Sequence, residues 1–271
     1  MASPAPVPRL RGVIFDMDGV VIDSEPLSMA VIAEIIGERG GRADPALLAG
    51  LAGVSLPDAL KVVAAHSGRD LDTAALYHSY QERYLPRLRA GAAATAGLTG
   101  LIAALTGAGV PIGLASSSSL AEIDVVVHAL RLGPVLTAVA SADEVTRPKP
   151  APDVYRLAVD RLGTGPDGVV AIEDSATGAA SAIAAGLVCV GVRTAVTQAH
   201  DLAEVAVFVN SLEELDLGTL ERLVSDGQPA EDSPDGDRTA TSITNDLPGA
   251  TTSSYSRRVQ RAAVGPVWRG C

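Results

Sequence analysis

Apolar residues follow different periods in different stretches of this chain. Residues 12–15 form an unbroken apolar run that ends at two aspartates, Asp16 and Asp18. A short continuous run with polar chemistry at its end predicts a buried strand. From Pro26 to about Ala90, Ala, Leu, Ile and Val recur at helical spacing, interrupted at Gly40 and Gly41, Asp44 and Pro45, residues 55–57 and Gly68. This pattern predicts four helices, near 27–39, 45–52, 57–67 and 72–89. Residues 91–97, rich in Ala, Gly and Thr, read as a hinge. Beyond the hinge the periods alternate. Helices are expected near 98–108, 120–130, 152–162, 176–185 and 211–224, and strands near 110–115, 136–140, 168–172, 187–192 and 205–209.

Alternation of this kind builds a doubly wound α/β fold, a parallel sheet with helices on both faces. Here an all-helical insertion follows the first strand. Segments 10–23 and 92–224 are assigned to the α/β core and 24–91 to a small helical cap. Residues 1–9 and 225–271 are expected to be disordered termini: from about Ser225 the chain is dominated by Ser, Thr, Asp, Gly and Pro with no apolar period, too little apolar surface to offset the entropy of ordering.

Composition narrows the function. The chain has 271 residues, 47% hydrophobic but only 3% aromatic, so its core must be built from Ala, Val, Leu and Ile. A net charge of −11 argues against a nucleic-acid partner. Cys189 and Cys271 suggest neither a disulfide framework nor a thiolate metal site, and His66, His78, His128 and His200 lack metal-ligand spacing. There is no P-loop and no dinucleotide glycine fingerprint. No run approaches the ~18 apolar residues of a membrane span, and the opening MASPAPVPRLRG has no apolar signal core. The expectation is a cytoplasmic monomer.

In an open parallel sheet, ligands bind beyond the carboxyl ends of the strands, and reactive residue types collect there. Asp16 and Asp18 lie two apart in a glycine-containing turn, where one carboxylate can attack phosphorus while the other shuttles a proton; a turn with solvated aspartates is the plain alternative. Ser116 follows a strand and, with the N–H groups of Ser117 and Ser118, could bind an anion at a helix start, or simply cap that helix. Lys149 lies between prolines in RPKPAPDVY, which limit its directions, although an exposed loop lysine would look the same. Glu173 and Asp174 offer hard oxygens suited to Mg²⁺, or a helix-capping Asp beside a solvated Glu.

The four sites together are more specific than any one. The stretches FDMDGVVIDSEP, GLASSS, RPKPAPDVY and AIEDSATGAASAIAAG resemble the haloacid dehalogenase-like hydrolases with a helical cap after the first strand, nearest to their sugar-phosphate phosphatases and β-phosphoglucomutases. The resemblance covers roughly 11–220. It implies that Asp16 is the nucleophile of an aspartyl-phosphate mechanism and Asp18 the general acid and base. Ser116, Ser117 and Lys149 would hold the phosphoryl group. Mg²⁺ would be bound by Asp16, the backbone of Asp18, Glu173 and Asp174. The cap stretch LAGVSLPDAL matches the mutase-like pattern around Gly53, Val54 and Ser55, which are assigned to substrate binding.

Hydrolysis is preferred over phosphoryl return. Mutases of this resemblance carry a basic cap residue and a histidine on the first cap helix, where this chain has Leu56 and Ser28. Without a second cationic site a bisphosphate is poorly held. The expected function is therefore Mg²⁺-dependent hydrolysis of a small phosphorylated metabolite, a sugar or polyol phosphate, through an aspartyl-phosphate; the alternatives are a β-phosphoglucomutase-like phosphotransferase and, more remotely, a catalytically silent binding protein.

Overall fold

The computed structural model describes residues 10–39, 41–51, 54–66, 72–195, 197, 202 and 204–226. Gly53, Gly68, His200, Cys271 and the termini before residue 10 and after residue 226 lie outside this set. Strands β1 (Gly12–Phe15), β2 (Ile112–Ser116), β3 (Leu136–Ser141), β4 (Val169–Glu173), β5 (Val188–Val192) and β6 (Val207–Val209) form one sheet in the order β3-β2-β1-β4-β5-β6. Every pairing is parallel. The chain winds outward from β1 through β2 to β3, then crosses back to β4 on the other side of β1. The order therefore reverses between β1 and β4, where this architecture opens a crevice at the carboxyl ends.

Side chains alternate between the faces along each strand. Val13, Phe15, Ile112, Leu114, Val170 and Ile172 point into one layer, which also contains Leu101, Leu105, Ile123, Val126 and Leu220. Those residues come from α5 (Leu98–Gly107), α6 (Leu120–Ala129) and α9 (Leu217–Asp226). Ile14, Ala115, Val169 and Ala171 point into the other layer, against α7 (Asp153–Leu162) and α8 (Ala176–Ala184). This second layer is rich in alanine, with Ala138, Ala140, Ala158, Ala179 and Ala182 buried in it. Small residues bring its helices close to the sheet.

Between β1 and α5 run four helices: α1 (Glu25–Glu38), α2 (Pro45–Leu51), α3 (Leu56–His66) and α4 (Thr73–Gly91). Helix α4 buries Leu76, Tyr80, Tyr84 and Leu88 at four-residue intervals, a single stripe along its length. It packs against α1, α3 and α6. The chain leaves for this insertion and returns from it along neighbouring paths: Ile22 pairs with Ala94 in an antiparallel bridge, and Thr95 N donates to Val21 O at 3.0 Å.

The main strands and helices agree with those expected; a 3₁₀ turn at Ala142–Glu144 and the C-terminal helix differ. The helix expected over 211–224 is a single 3₁₀ turn, Leu212–Glu214, followed by α9. Ser211 caps the short turn, Leu215 is extended, and Asp216 Oδ1 accepts from Thr219 N at 2.7 Å to start α9. Two local caps divide what the apolar period alone would join. Helix α9 also continues to Asp226, so residues 225 and 226 are helical rather than part of a disordered tail. No helix among the described residues is long and apolar enough to cross a membrane.

Candidate active site

The site begins where β1 ends. Asp16 N donates to Ile172 O at 2.9 Å, tying the turn after β1 to β4. The turn closes through Gly19, whose φ of +82° suits glycine. A Cβ there would lie 2.0 Å from Asp174 Oδ2, and one at Gly178 would lie 1.8 Å from Glu173 Oε1. Both carboxylates thus occupy space that only a missing side chain provides.

Lys149 reaches in from the loop before α7 and is buried. Its ammonium donates to Asp16 Oδ1 and Glu173 Oε1, each at 2.6 Å, and to Ala115 O at 3.1 Å. Burial pulls this ammonium down, but the two carboxylates outweigh burial and hold it above its ordinary value. Glu173, fully buried, has both oxygens engaged. Oε1 also accepts from the Tyr155 hydroxyl at 2.9 Å. Oε2 accepts from Asp174 N at 3.2 Å, Ser175 N at 3.2 Å and Ser175 Oγ at 3.0 Å.

Asp174 completes the cluster. One carboxylate oxygen from each of Asp16, Glu173 and Asp174 lies within 4.8 Å of the others. Burial, then the neighbouring Asp16, Glu173 and Asp18 charges, push Asp174 up to about 9. Burial pushes Asp16 up to about 8; Lys149 opposes this, and the Glu173 and Asp18 charges add to it. The protein's own cation leaves negative charge uncompensated among buried hard oxygens, a donor set that fits a divalent cation such as Mg²⁺. Asp16 and Asp174 would hold it. Glu173, with five donors already on its two oxygens, would support them from behind.

Asp18 bonds to a different set of partners. Its Oδ1 accepts from Ser24 Oγ at 2.5 Å and its Oδ2 from Ser118 Oγ at 2.6 Å. Ser118 is itself fixed, its carbonyl accepting from Ser141 Oγ at 2.7 Å. Ser116 is fully buried, and its Oγ accepts from Ser118 N at 3.0 Å. Ser117 is exposed at the same turn. The cap of α6 is Ser119, which forms a capping box with Glu122, so Ser116 and Ser117 precede the helix rather than start it.

The structure thus brings together Asp16, Lys149, Glu173 and Asp174, with Asp18 and Ser116 beside them. Of the cap residues assigned to substrate, Gly53 lies outside the described residues, and Val54 and Ser55 are not bonded to this cluster. Ser55 is engaged as the cap of α3, donating to Asp58 Oδ2 at 2.8 Å and accepting from Asp58 N at 3.4 Å. Val54 is exposed. Sequence reasoning passed over Ser24, the Ser118 hydroxyl and Tyr155. The signals were a serine just before α1, one serine among four, and a tyrosine within RPKPAPDVY. A surface concavity of about 450 Å³, lined by Asp124, His128 and Arg131 among others, lies toward the opposite end of α6 and shares no residue with the cluster.

A buried carboxylate–lysine cluster lies at the switch point of a doubly wound sheet, where ligands of this architecture bind. The family model for haloacid dehalogenase-like hydrolases matches residues 13–192. The chain belongs to this family and is an enzyme of its phosphatase type. It is 32% identical to the fructose-1-phosphate phosphatase YqaB of Escherichia coli over 68% of its own length and 97% of that protein. It is 30% identical to hexitol phosphatase A of Escherichia coli over 76% of its own length and 94% of that protein. Among solved structures, CbbY from Rhodobacter sphaeroides in complex with phosphate matches with a TM-score of 0.68 at 26% identity, covering 76% of this chain and 96% of that one.

Proposed function

We propose that this phosphatase is Mg²⁺-dependent and hydrolyses small phosphorylated metabolites, sugar or polyol phosphates, through an aspartyl-phosphate on Asp16. The observation that carries the reading is the 2.6 Å ion pair between Lys149 and Asp16 at the strand end, with Asp18 in the same turn. Asp16 attacks phosphorus. Asp18, protonated for this step, gives its proton to the departing alkoxide oxygen. The resulting Asp18 carboxylate then takes a proton from the water that attacks the acyl phosphate, releasing inorganic phosphate and restoring Asp16. The Ser116 hydroxyl and the Ser117 N–H hold the phosphoryl oxygens, while Lys149 orients Asp16 and neutralises charge beside them. A bound Mg²⁺ supplies charge neutralisation to the phosphoryl group.

Segments 10–23 and 92–224 serve as the catalytic core and 24–91 as a cap that closes over the substrate and excludes water. The named substrates of the relatives support the sugar or polyol class. A mutase would need a second anion site. Ser28 instead accepts a hydrogen bond from Tyr80 at 2.9 Å, and Leu56 is apolar, which favours water as the acceptor. The working enzyme is proposed to be a cytoplasmic monomer without nucleic-acid or membrane partners. The test is a panel of phosphorylated sugars and polyols assayed with Mg²⁺ for phosphate release. With β-glucose 1-phosphate and a trace of the 1,6-bisphosphate, free phosphate should accumulate in step with substrate loss. Glucose 6-phosphate forming faster than phosphate would instead mark a mutase.

A further inference from the structure

We propose that Tyr155 is a positioning residue for this reaction, fixing Glu173 and Lys149 so that the ammonium is aimed at Asp16. The inference rests on the reading of Asp16 and Lys149 given above. Tyr155 lies on α7 and is fully buried in the alanine-rich layer, where it is among the largest enclosed side chains. A Phe would fill the same space. What tyrosine adds is a hydroxyl, and a buried hydroxyl is costly unless it is bonded. Its partner is Glu173 Oε1 at 2.9 Å, the same oxygen that accepts from Lys149 at 2.6 Å.

The geometry makes this shared oxygen a pivot. Lys149 has three N–H bonds, and all are directed: to Asp16, to Glu173 and to the Ala115 carbonyl. The face of the Tyr155 ring lies 4.9 Å from the ammonium, within cation–π range. The tyrosine therefore meets the lysine with its ring and the lysine's counter-anion with its hydroxyl. The opposite oxygen of Glu173 is held by the turn that opens α8. Without the Tyr155 hydroxyl, Lys149 would be the sole donor to Oε1. The ammonium would then be drawn toward Glu173 and away from Asp16 and the phosphoryl group. Tyr155 touches neither the substrate nor the reacting atoms, so its effect should fall on transition-state stabilisation rather than on substrate binding.

The test compares Tyr155→Phe and Tyr155→Leu in the full-length Mg²⁺-loaded enzyme with p-nitrophenyl phosphate, alongside Lys149→Met and the double variant Lys149→Met/Tyr155→Phe. Tyr155→Phe should lower kcat roughly tenfold with KM within about twofold, the scale of one hydrogen bond to a charged group. Inhibition by orthovanadate, which mimics the five-coordinate phosphorus, should weaken by the same factor, while inhibition by inorganic phosphate stays unchanged. Tyr155→Leu should lose more, because the ring goes too. In the Lys149→Met background, Tyr155→Phe should add nothing further. If Tyr155→Phe matches wild type while Lys149→Met is inactive, the inference fails and the site reading stands. If Tyr155→Phe weakens phosphate and vanadate equally, or its loss adds in full to that of Lys149→Met, Tyr155 is merely structural and the inference is overturned. If Lys149→Met is itself fully active, the site reading falls first.

Discussion

The carboxyl end of β1 and β4 and the helical insertion use polar groups in opposite ways. At the strand ends, Asp16, Lys149 and Glu173 are buried and bonded to one another across 24 and 133 positions of sequence. In the insertion, polar partners are exposed and mostly sustain the insertion itself. Arg87 pairs with Glu34 at 2.9 Å, Arg83 with Glu38 at 2.7 Å, and Lys61 with Asp58 at 2.8 Å. Buried ion pairs are costly to break because each loss strands a charge, whereas exposed pairs contribute ~0–1 kcal/mol. Substitution is therefore expected to cost most in the first region and least at the exposed pairs of the second.

Substitutions should separate the regions in order of effect. Asp16→Asn is expected to lower kcat by at least about three orders of magnitude, since an amide has no anionic oxygen to attack phosphorus. The measurement is phosphate release by variant purified free of wild type, with the melting transition checked in parallel. A residual rate above about a tenth of wild type, a loss below ~1.4 kcal/mol, would remove Asp16 from the nucleophile role.

Gly178→Ala comes next. Its Cβ would meet Glu173 Oε1 at 1.8 Å, so Glu173 must move and Lys149 with it. A loss of ~1–3 kcal/mol in stability is expected from overpacking, with activity falling further than stability. An unchanged kcat and Tm would show that Glu173 can be seated elsewhere at no cost.

The metal assignment predicts a pH-dependent stability. Burial first, then neighbouring charge, raises Asp16 to about 8 and Asp174 to about 9 from 3.8. A carboxyl raised on folding contributes stability that is fully present below its unfolded value and is lost as pH rises through the folded one. Chelator-treated protein should therefore lose stability as pH rises from about 4 to about 9, and should be inactive. Added Mg²⁺ binds the ionised carboxylates, so the Tm increase it produces should grow over the same interval. A Mg²⁺ shift independent of pH, or full activity after exhaustive metal removal, would break the assignment.

The smallest effect belongs to the insertion. Ser55→Ala removes the α3 cap and should cost about 1 kcal/mol in stability, while kcat toward p-nitrophenyl phosphate stays within about twofold. A large fall in kcat would return Ser55 to the substrate and blur the contrast between the regions.

Much of the site was legible because its residues follow uninterrupted apolar runs. Asp16, Ser116, Glu173 and Asp174 sit at or just past the ends of buried strands, and the strand period points there directly. What was not legible depends on turn geometry. Ser116, Ser117, Ser118 and Ser119 are identical in kind, yet one is buried, one exposed, one bonds Asp18 and one caps α6. Tyr155 reads as an ordinary core residue, because only tertiary packing shows where its hydroxyl points. Ser55, read as a substrate residue, also carries a helix-cap signal, Ser and Asp three positions apart, and its side chain bonds Asp58.

The bridge between Ile22 and Ala94 makes the insertion a detour that departs and rejoins at one doorway. Paired strands lie about 5 Å apart, so a link of two or three residues would close the host chain if the detour were cut out. A different helical module joined at that doorway is therefore expected to leave the order of the strands intact while presenting another surface above the strand ends.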